Sequence, residues 1–208
     1  MDEATENYLQ MRYWAEDDLL RELREDLERR GPTIQVNAET GRLLATLVAV
    51  SGARRVLEIG TLFGYSAVWI ARALPPGGSL DTLELSDVHA DAAESWFERA
   101  GLAETVTVRR GPALSTLAQL DEPYDAVFLD AVKAEYVEYA GHAARLLSAG
   151  GLLLADNAIW SGRVADPART DADTEGLRRF HELIAHDRAW TSTVLPVGDG
   201  VAVAVRRA

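Results

Sequence analysis

The chain reads as an α/β protein built on a doubly wound, mostly parallel sheet that ends in an antiparallel C-terminal hairpin and follows N-terminal helices. Three observations predict this. Five short apolar runs alternate with longer amphipathic stretches, the pattern of buried parallel strands joined by right-handed helical crossovers. The first run ends in a turn that carries two glycines, Gly60 and Gly64. The last two runs are joined by Gly198-Asp199-Gly200, too short a link for a parallel crossover and right for a hairpin.

In chain order, residues 16–30 set Leu20, Leu23 and Leu27 on one helical face, and Gly31-Pro32 stops the helix. Asn37 caps a second helix, whose Leu43, Leu44, Leu47 and Val48 recur at helical spacing as far as Ser51-Gly52. Two helices thus precede the first strand, making 1–52 an N-terminal helical segment. Strands are expected at Val56–Ile59, Leu80–Leu85, Val106–Val108, Ala126–Leu129 and Leu152–Ala155, with helices beginning near Tyr65, Asp87, Ala113, Ala134 and Thr174. Trp190–Val197 and Val201–Arg207 form the hairpin. No internal repeat or linker divides the chain, so 1–208 is expected to be a single domain; the irregular stretch Asn157–Asp173 reads as a functional loop.

Composition removes whole classes of function. With 48% hydrophobic and 26% charged residues among 208, the chain can bury one substantial core. Its 21 basic and 33 acidic residues give a net charge of −12, which repels a phosphate backbone, so nucleic acid is not an expected partner. The absence of cysteine excludes disulfides, thiolate metal sites and cysteine nucleophiles, and suits a reducing cytoplasm. Met1–Gln10 lacks a cationic patch followed by an apolar core, and no apolar run approaches the roughly 18 residues of a membrane span. The expectation is a soluble, uncleaved, cytoplasmic protein without a membrane partner.

Chemistry gathers at the expected strand ends. Glu58-Ile-Gly60-Thr-Leu-Phe-Gly64-Tyr65-Ser66 closes the first strand, and its glycines let the backbone come close to a ligand. The spacing departs from the G-x-G-x-x-G of a dinucleotide site, which weakens an oxidoreductase reading. Glu84 ends the second strand, 24 positions beyond Gly60, where an acidic side chain can accept both hydroxyls of a ribose. Either feature alone is also what an ordinary β-α turn and a solvated strand end look like; together they favour a nucleoside ligand without a pyrophosphate.

Asp130 ends the fourth strand and Asp156-Asn157 the fifth. If those strands are neighbours, about 4.8 Å apart, three oxygen donors converge at the edge that carries Gly60. An oxygen-only set suits a hard cation such as Mg²⁺, although acidic residues also finish strands simply by capping loops. Lys133 is the only lysine beside 20 arginines. A surviving lysine points to work that guanidinium cannot do, namely holding a neutral amine, and the ordinary alternative is an exposed lysine on the first turn of a helix. His89, His142, His181 and His186 fall in helices and are not placed to ligate. Trp160 could stack on an aromatic substrate or anchor its loop.

Together these segments resemble the small cation-dependent O-methyltransferases of the catechol and caffeoyl-CoA type, which use S-adenosylmethionine on a Rossmann-like class I methyltransferase sheet. The resemblance runs through Ile34-Gln-Val36, LEIGTLFGYS (57–66), TLEL (82–85), GPA (111–113), YDAVFLDAVK (124–133), GGLLLADNAIWSGRV (150–164) and PVGDG (196–200). It implies that Val36, Glu58, Gly60, Tyr65 and Ser66 surround the methionine part, that Glu84 holds the ribose and that Ala113 lies beside the adenine. Asp130 counts both with the cofactor residues and, with Asp156 and Asn157, as a ligand of Mg²⁺ or another divalent cation such as Mn²⁺ or Ca²⁺. Lys133 is then the general base in transfer of a methyl group to a catechol-like small molecule, and a homodimer is implied. Val132, Leu62-Phe63 and His181 depart from the usual family residues, Val132 standing where a second aspartate is common. Two alternatives are a methyltransferase for a non-catechol nucleophile and a module that binds S-adenosylmethionine without turnover.

Overall fold

A computed structural model describes residues 2–207. Three helices precede the first strand: α1 (Glu3–Tyr13), α2 (Asp18–Arg30) and α3 (Ala38–Ser51). The sequence predicts only the last two. The first, EATENYLQMRY, has no apolar stripe to betray it, leaves Tyr8, Met11 and Tyr13 exposed, and starts where the Asp2 side chain accepts from Thr5 N. The other two follow their sequence signals. Asp17 caps α2, which buries Leu20, Leu23 and Leu27. Asn37 caps α3, which ends at a left-handed Gly52.

The sheet has seven strands: β1 (Arg55–Ile59), β2 (Ser79–Glu84), β3 (Val106–Arg110), β4 (Tyr124–Leu129), β5 (Leu147–Ala155), β6 (Trp190–Leu195) and β7 (Val201–Arg206). Their order is β3-β2-β1-β4-β5-β7-β6. The first five are parallel, and β7 runs antiparallel between β5 and β6. The hairpin is therefore present, but its link covers 196–200, longer than the three residues expected, because Pro196 has no N–H to continue the β6 ladder. The crossover helices are α4 (Tyr65–Ala73), α5 (Asp87–Arg99), α6 (Ala113–Leu117) and α7 (Tyr136–Leu146); α8 (Ala172–His186) precedes the hairpin.

Alternation along the strands divides the core between the two faces of the sheet. Val56 and Phe128 pack with Leu44, Val68, Trp69 and Phe97 on one side. Leu57, Val127 and Leu129 pack with Tyr136, Phe180 and Ile184 on the other. Each such side chain contributes roughly 1.5–3 kcal/mol by leaving water, so the strand ends are fixed by what lies beneath them. Strand order reverses between β1 and β4, and in an open α/β sheet that switch point opens a crevice at the carboxyl ends of the strands. Gly60 N donates to Leu83 O, Asp130 N to Ile59 O and Asp156 N to Leu129 O. The parallel ladder thus extends past the strand ends and holds the tips of β2, β1, β4 and β5 in register. Among the described residues, no helix is long and apolar enough to cross a membrane.

Candidate active site

The turn after β1 needs glycine at two places. Gly60 has φ 102°, and a Cβ there would lie 2.1 Å from the carbonyl oxygen of Asp130. Gly64 has φ 86°, and a Cβ would meet the Phe97 ring at 2.5 Å. With these Cβ atoms absent, β1 and β4 close together beneath a cavity of about 720 Å³. Its wall includes Val36, Gly60, Tyr65, Ser66, Glu84, Ala113, Asp130, Lys133, Asn157 and Trp160. Ten of the residues singled out in the sequence therefore share one cavity.

Two others lie beneath its wall. Glu58 is completely buried and accepts hydrogen bonds from Ser66 Oγ and Thr82 Oγ1, both at 2.6 Å. Its action on the cavity runs through Ser66, which is on the wall. Burial, opposed by those two hydroxyl donors, pushes its carboxyl up to about 7. Asp156 is 5% exposed, and its Oδ1 is buried without a hydrogen-bond partner. Burial first, and the neighbouring Asp130 second, push its carboxyl up to about 7.

Glu84 does more than end a strand. Its Oε2 accepts from Leu62 N at 2.8 Å and Thr61 N at 3.3 Å, and its Oε1 accepts from Ser86 N at 2.9 Å. It braces the glycine turn from the next strand while lining the cavity. His89 Nδ1 lies 3.5 Å from Oε1. Tyr65, almost fully buried, donates its hydroxyl to Glu16 at 2.7 Å, and Glu16 pairs with Arg24, so the start of α4 is tied to α2.

Lys133 is 7% exposed and its Nζ lies 2.7 Å from Asp130 Oδ1. It opens a short 3-10 turn, Lys133–Glu135, ahead of α7, which delays the helix expected at Ala134. The buried Tyr136 hydroxyl donates to Leu129 O at 3.1 Å and secures the β4 tip from behind. Asn157 has φ 58° and Trp160 φ 51°, left-handed conformations that hold this loop in a shape of its own. Within the stretch expected to be irregular, Trp160–Ala165 forms short 3-10 turns broken by a kink at Ser161 and Gly162, whose φ are 50° and 79°. All four histidines lie in helices; His181 Nε2 is 2.8 Å from Ala158 O and donates there.

Among the described residues, no group of three or more His, Cys, Asp or Glu side chains could hold a metal. The set at the tips of β4 and β5 is instead two carboxylates and an amide. The orphaned Asp156 oxygen, an expensive arrangement for a buried carboxylate, fits a cation at this place. The oxygen-only donors suit a hard divalent ion.

Residues 11–207 match the O-methyltransferase family. The chain belongs to that family. This O-methyltransferase is 39% identical over 213 aligned residues to a catechol O-methyltransferase of Niastella koreensis, covering 98% of this chain and 96% of the relative. It superposes on an O-methyltransferase from Bacillus cereus in complex with SAH, with a TM-score of 0.91 at 38% identity, over 98% of this chain and 97% of the other. With the O-methyltransferase of Streptomyces achromogenes involved in tomaymycin synthesis, in complex with SAM, the TM-score is 0.92 at 36% identity, over 100% of both chains. The fold is the class I methyltransferase fold.

Several cavity residues of this O-methyltransferase escape a reading of sequence alone. Glu135, Tyr139 and Asp173 are on the wall, yet none stands at a strand end or in a glycine turn. Asp199 is also outside any expected site. Its Oδ1 accepts from Ser161 N at 2.6 Å and its carbonyl from Ile159 N at 2.8 Å, which fastens the Trp160 loop to the hairpin link. The PVGDG segment is the only sequence signal that could have drawn attention to it.

Proposed function

We propose that this O-methyltransferase moves the methyl group of S-adenosylmethionine to one hydroxyl of a catechol-like, ortho-dihydroxy aromatic small molecule and depends on a divalent cation. The observation that carries the reading is the juxtaposition, in one cavity, of the Lys133–Asp130 pair with the Gly60 turn and its brace Glu84. The names of relatives, catechol O-methyltransferase among them, support the same class of acceptor.

In this reading Glu84 accepts from the ribose, Ala113 borders the adenine, and Val36, Gly60, Tyr65 and Ser66 enclose the methionine part, with Glu58 setting the Ser66 rotamer from below. Asp130, Asp156 and Asn157 would hold the cation, which when bound supplies Lewis-acid polarisation of the acceptor and an anchor for its vicinal oxygens. Lys133 Nζ, oriented by Asp130 and acting as the free amine after its own proton has passed to solvent, takes the phenolic proton. The acceptor oxygen then forms its bond to the methyl carbon as the S–C bond breaks in line, and the sulfur keeps the electron pair as S-adenosylhomocysteine leaves. Trp160 covers the acceptor ring. Holding the two reactants in line contributes much of the acceleration. A homodimer is proposed as well, supported by the exposed Tyr8, Met11 and Tyr13 of α1, as is a cytoplasmic setting, supported by a cysteine-free chain.

The experiment is a paired rate measurement with Mg²⁺ on a catechol and its monohydroxy analogue. The catechol should exceed the phenol in kcat/KM by about 10² or more, because only vicinal oxygens can be both anchored and attacked. Equal values would remove chelation from recognition.

A further inference from the structure

The acceptor end of the cavity is one-sided in charge. Glu135 and Asp173 line it beside Asp130, whereas the only lysine or arginine among its described lining residues is Lys133, already bonded to Asp130 at 2.7 Å. Glu135 accepts from the Tyr139 hydroxyl and Asp173 from Ala134 N at 3.1 Å. Both contacts are with uncharged donors, and among the described residues neither carboxylate belongs to an ion pair. The nearby Arg163, 5.4 Å from the Trp160 ring centroid, is paired with Asp171 at 2.7 Å. His89, also on the wall, is beside Glu84. The same wall carries apolar surface: Val132, between Asp130 and Lys133 in the chain, is 52% exposed, and Ile34 is 70% exposed.

A divalent ion on Asp130, Asp156 and Asn157 is matched by the two carboxylates that hold it, and Lys133 then offsets only one of Glu135 and Asp173. A carboxylate or phosphate on the acceptor would enter a space that still carries an excess negative charge. Like charges confined together in a partly desolvated cleft act as a device against the wrong ligand. Resting on the proposed catechol reaction, we propose that the acceptor is an ortho-diphenol whose ring substituent carries no negative charge. Glu135 and Asp173 exclude anionic analogues, and Val132 and Ile34 cover the substituent of accepted ones.

The test uses methyl 3-(3,4-dihydroxyphenyl)propanoate and its free acid, which share a scaffold and differ by one charge at neutral pH. With full-length enzyme, S-adenosylmethionine and Mg²⁺, kcat/KM for the ester should exceed that for the acid by about tenfold or more. Calorimetric Kd values, measured with S-adenosylhomocysteine in place of the methyl donor, should fall in the same order. Val132→Lys adds a cation on an exposed side chain, and Glu135→Gln removes a charge while keeping an acceptor for Tyr139; each should narrow the ester-to-acid ratio. Acid and ester within about threefold of one another in both rate and Kd, or a ratio that neither variant moves, overturns the charge exclusion. Failure of both compounds to be methylated overturns the proposed reaction instead, and the pair of Kd values still decides the charge preference.

Discussion

Lys133 and Asp130 touch at 2.7 Å in a setting where the ammonium is 7% exposed. An arginine could make that ion pair equally well, and this chain has 20 arginines and no other lysine. The side chain at 133 is therefore expected to do what guanidinium cannot, which is to pass between ammonium and amine during turnover. Lys133→Arg should lower kcat by about 10² or more, in line with the usual contribution of a positioned base, while calorimetry finds S-adenosylmethionine binding nearly unchanged. Activity should partly return at high pH, where the acceptor ionises into solvent unaided. Wild-type kcat from pH 6 to 9 would reduce Lys133 to an electrostatic role. Asp130 is legible in the sequence because it stands at a strand end, and Lys133 because it is the only lysine in the chain. The burial of Asp156 and its unpartnered Oδ1 were not, since composition does not say how deep a strand tip lies.

The turn between β1 and α4 is the element on which the site rests. Its two glycines are readable as such, but the acceptor that steadies its backbone N–H groups, Glu84, comes from another strand. A sequence reading assigns Glu84 only to a ribose, because nothing local shows that β2 brings it under the turn. That double duty changes what its substitution should do. Glu84→Ala strips acceptors from three backbone N–H groups as well as from the ligand. It should lower thermal stability by about 1–3 kcal/mol in addition to weakening S-adenosylmethionine binding, on the scale of unsatisfied polar groups. Glu84→Gln, which keeps one carbonyl acceptor for the turn, should recover most of the stability and less of the affinity. Equal Tm for Glu84→Ala and the wild type would show that the brace is unimportant. Helix α1 illustrates the opposite case: its few apolar residues form no stripe, so it offers no periodicity to read, and it is seen only in the structure.

Across the whole molecule, the parallel strands and the antiparallel hairpin are what the apolar runs and the short hairpin link predict, because both are local signals, whereas the order β3-β2-β1-β4-β5-β7-β6, which makes β4 and β5 neighbours, is seen only in the structure. What they do not predict is how far groups are removed from water. Glu58, in the middle of the sheet, is raised from 4.5 to about 7 chiefly by burial. Between those values the folded protein holds a proton there that the unfolded chain has released. The contribution is therefore fully present below pH 4.5 and lost as pH rises through 7, on the order of 3 kcal/mol in all. The difference in unfolding free energy between wild type and Glu58→Gln should accordingly shift against the wild type from pH 5 to pH 8, measured by urea titration. A difference independent of pH would mean that Glu58 stays ionised in the fold.

Cation dependence is the claim on which the rest of the chemistry depends, and methyl transfer from isotopically labelled S-adenosylmethionine to a catechol reports it directly. Turnover should vanish in excess chelator and return with added Mg²⁺, and Asp156→Ala should bind S-adenosylmethionine yet stay inactive with or without the ion. Full activity in excess chelator, or an Asp156→Ala variant as fast as the wild type, would contradict the assignment of Asp130, Asp156 and Asn157 as the cation site.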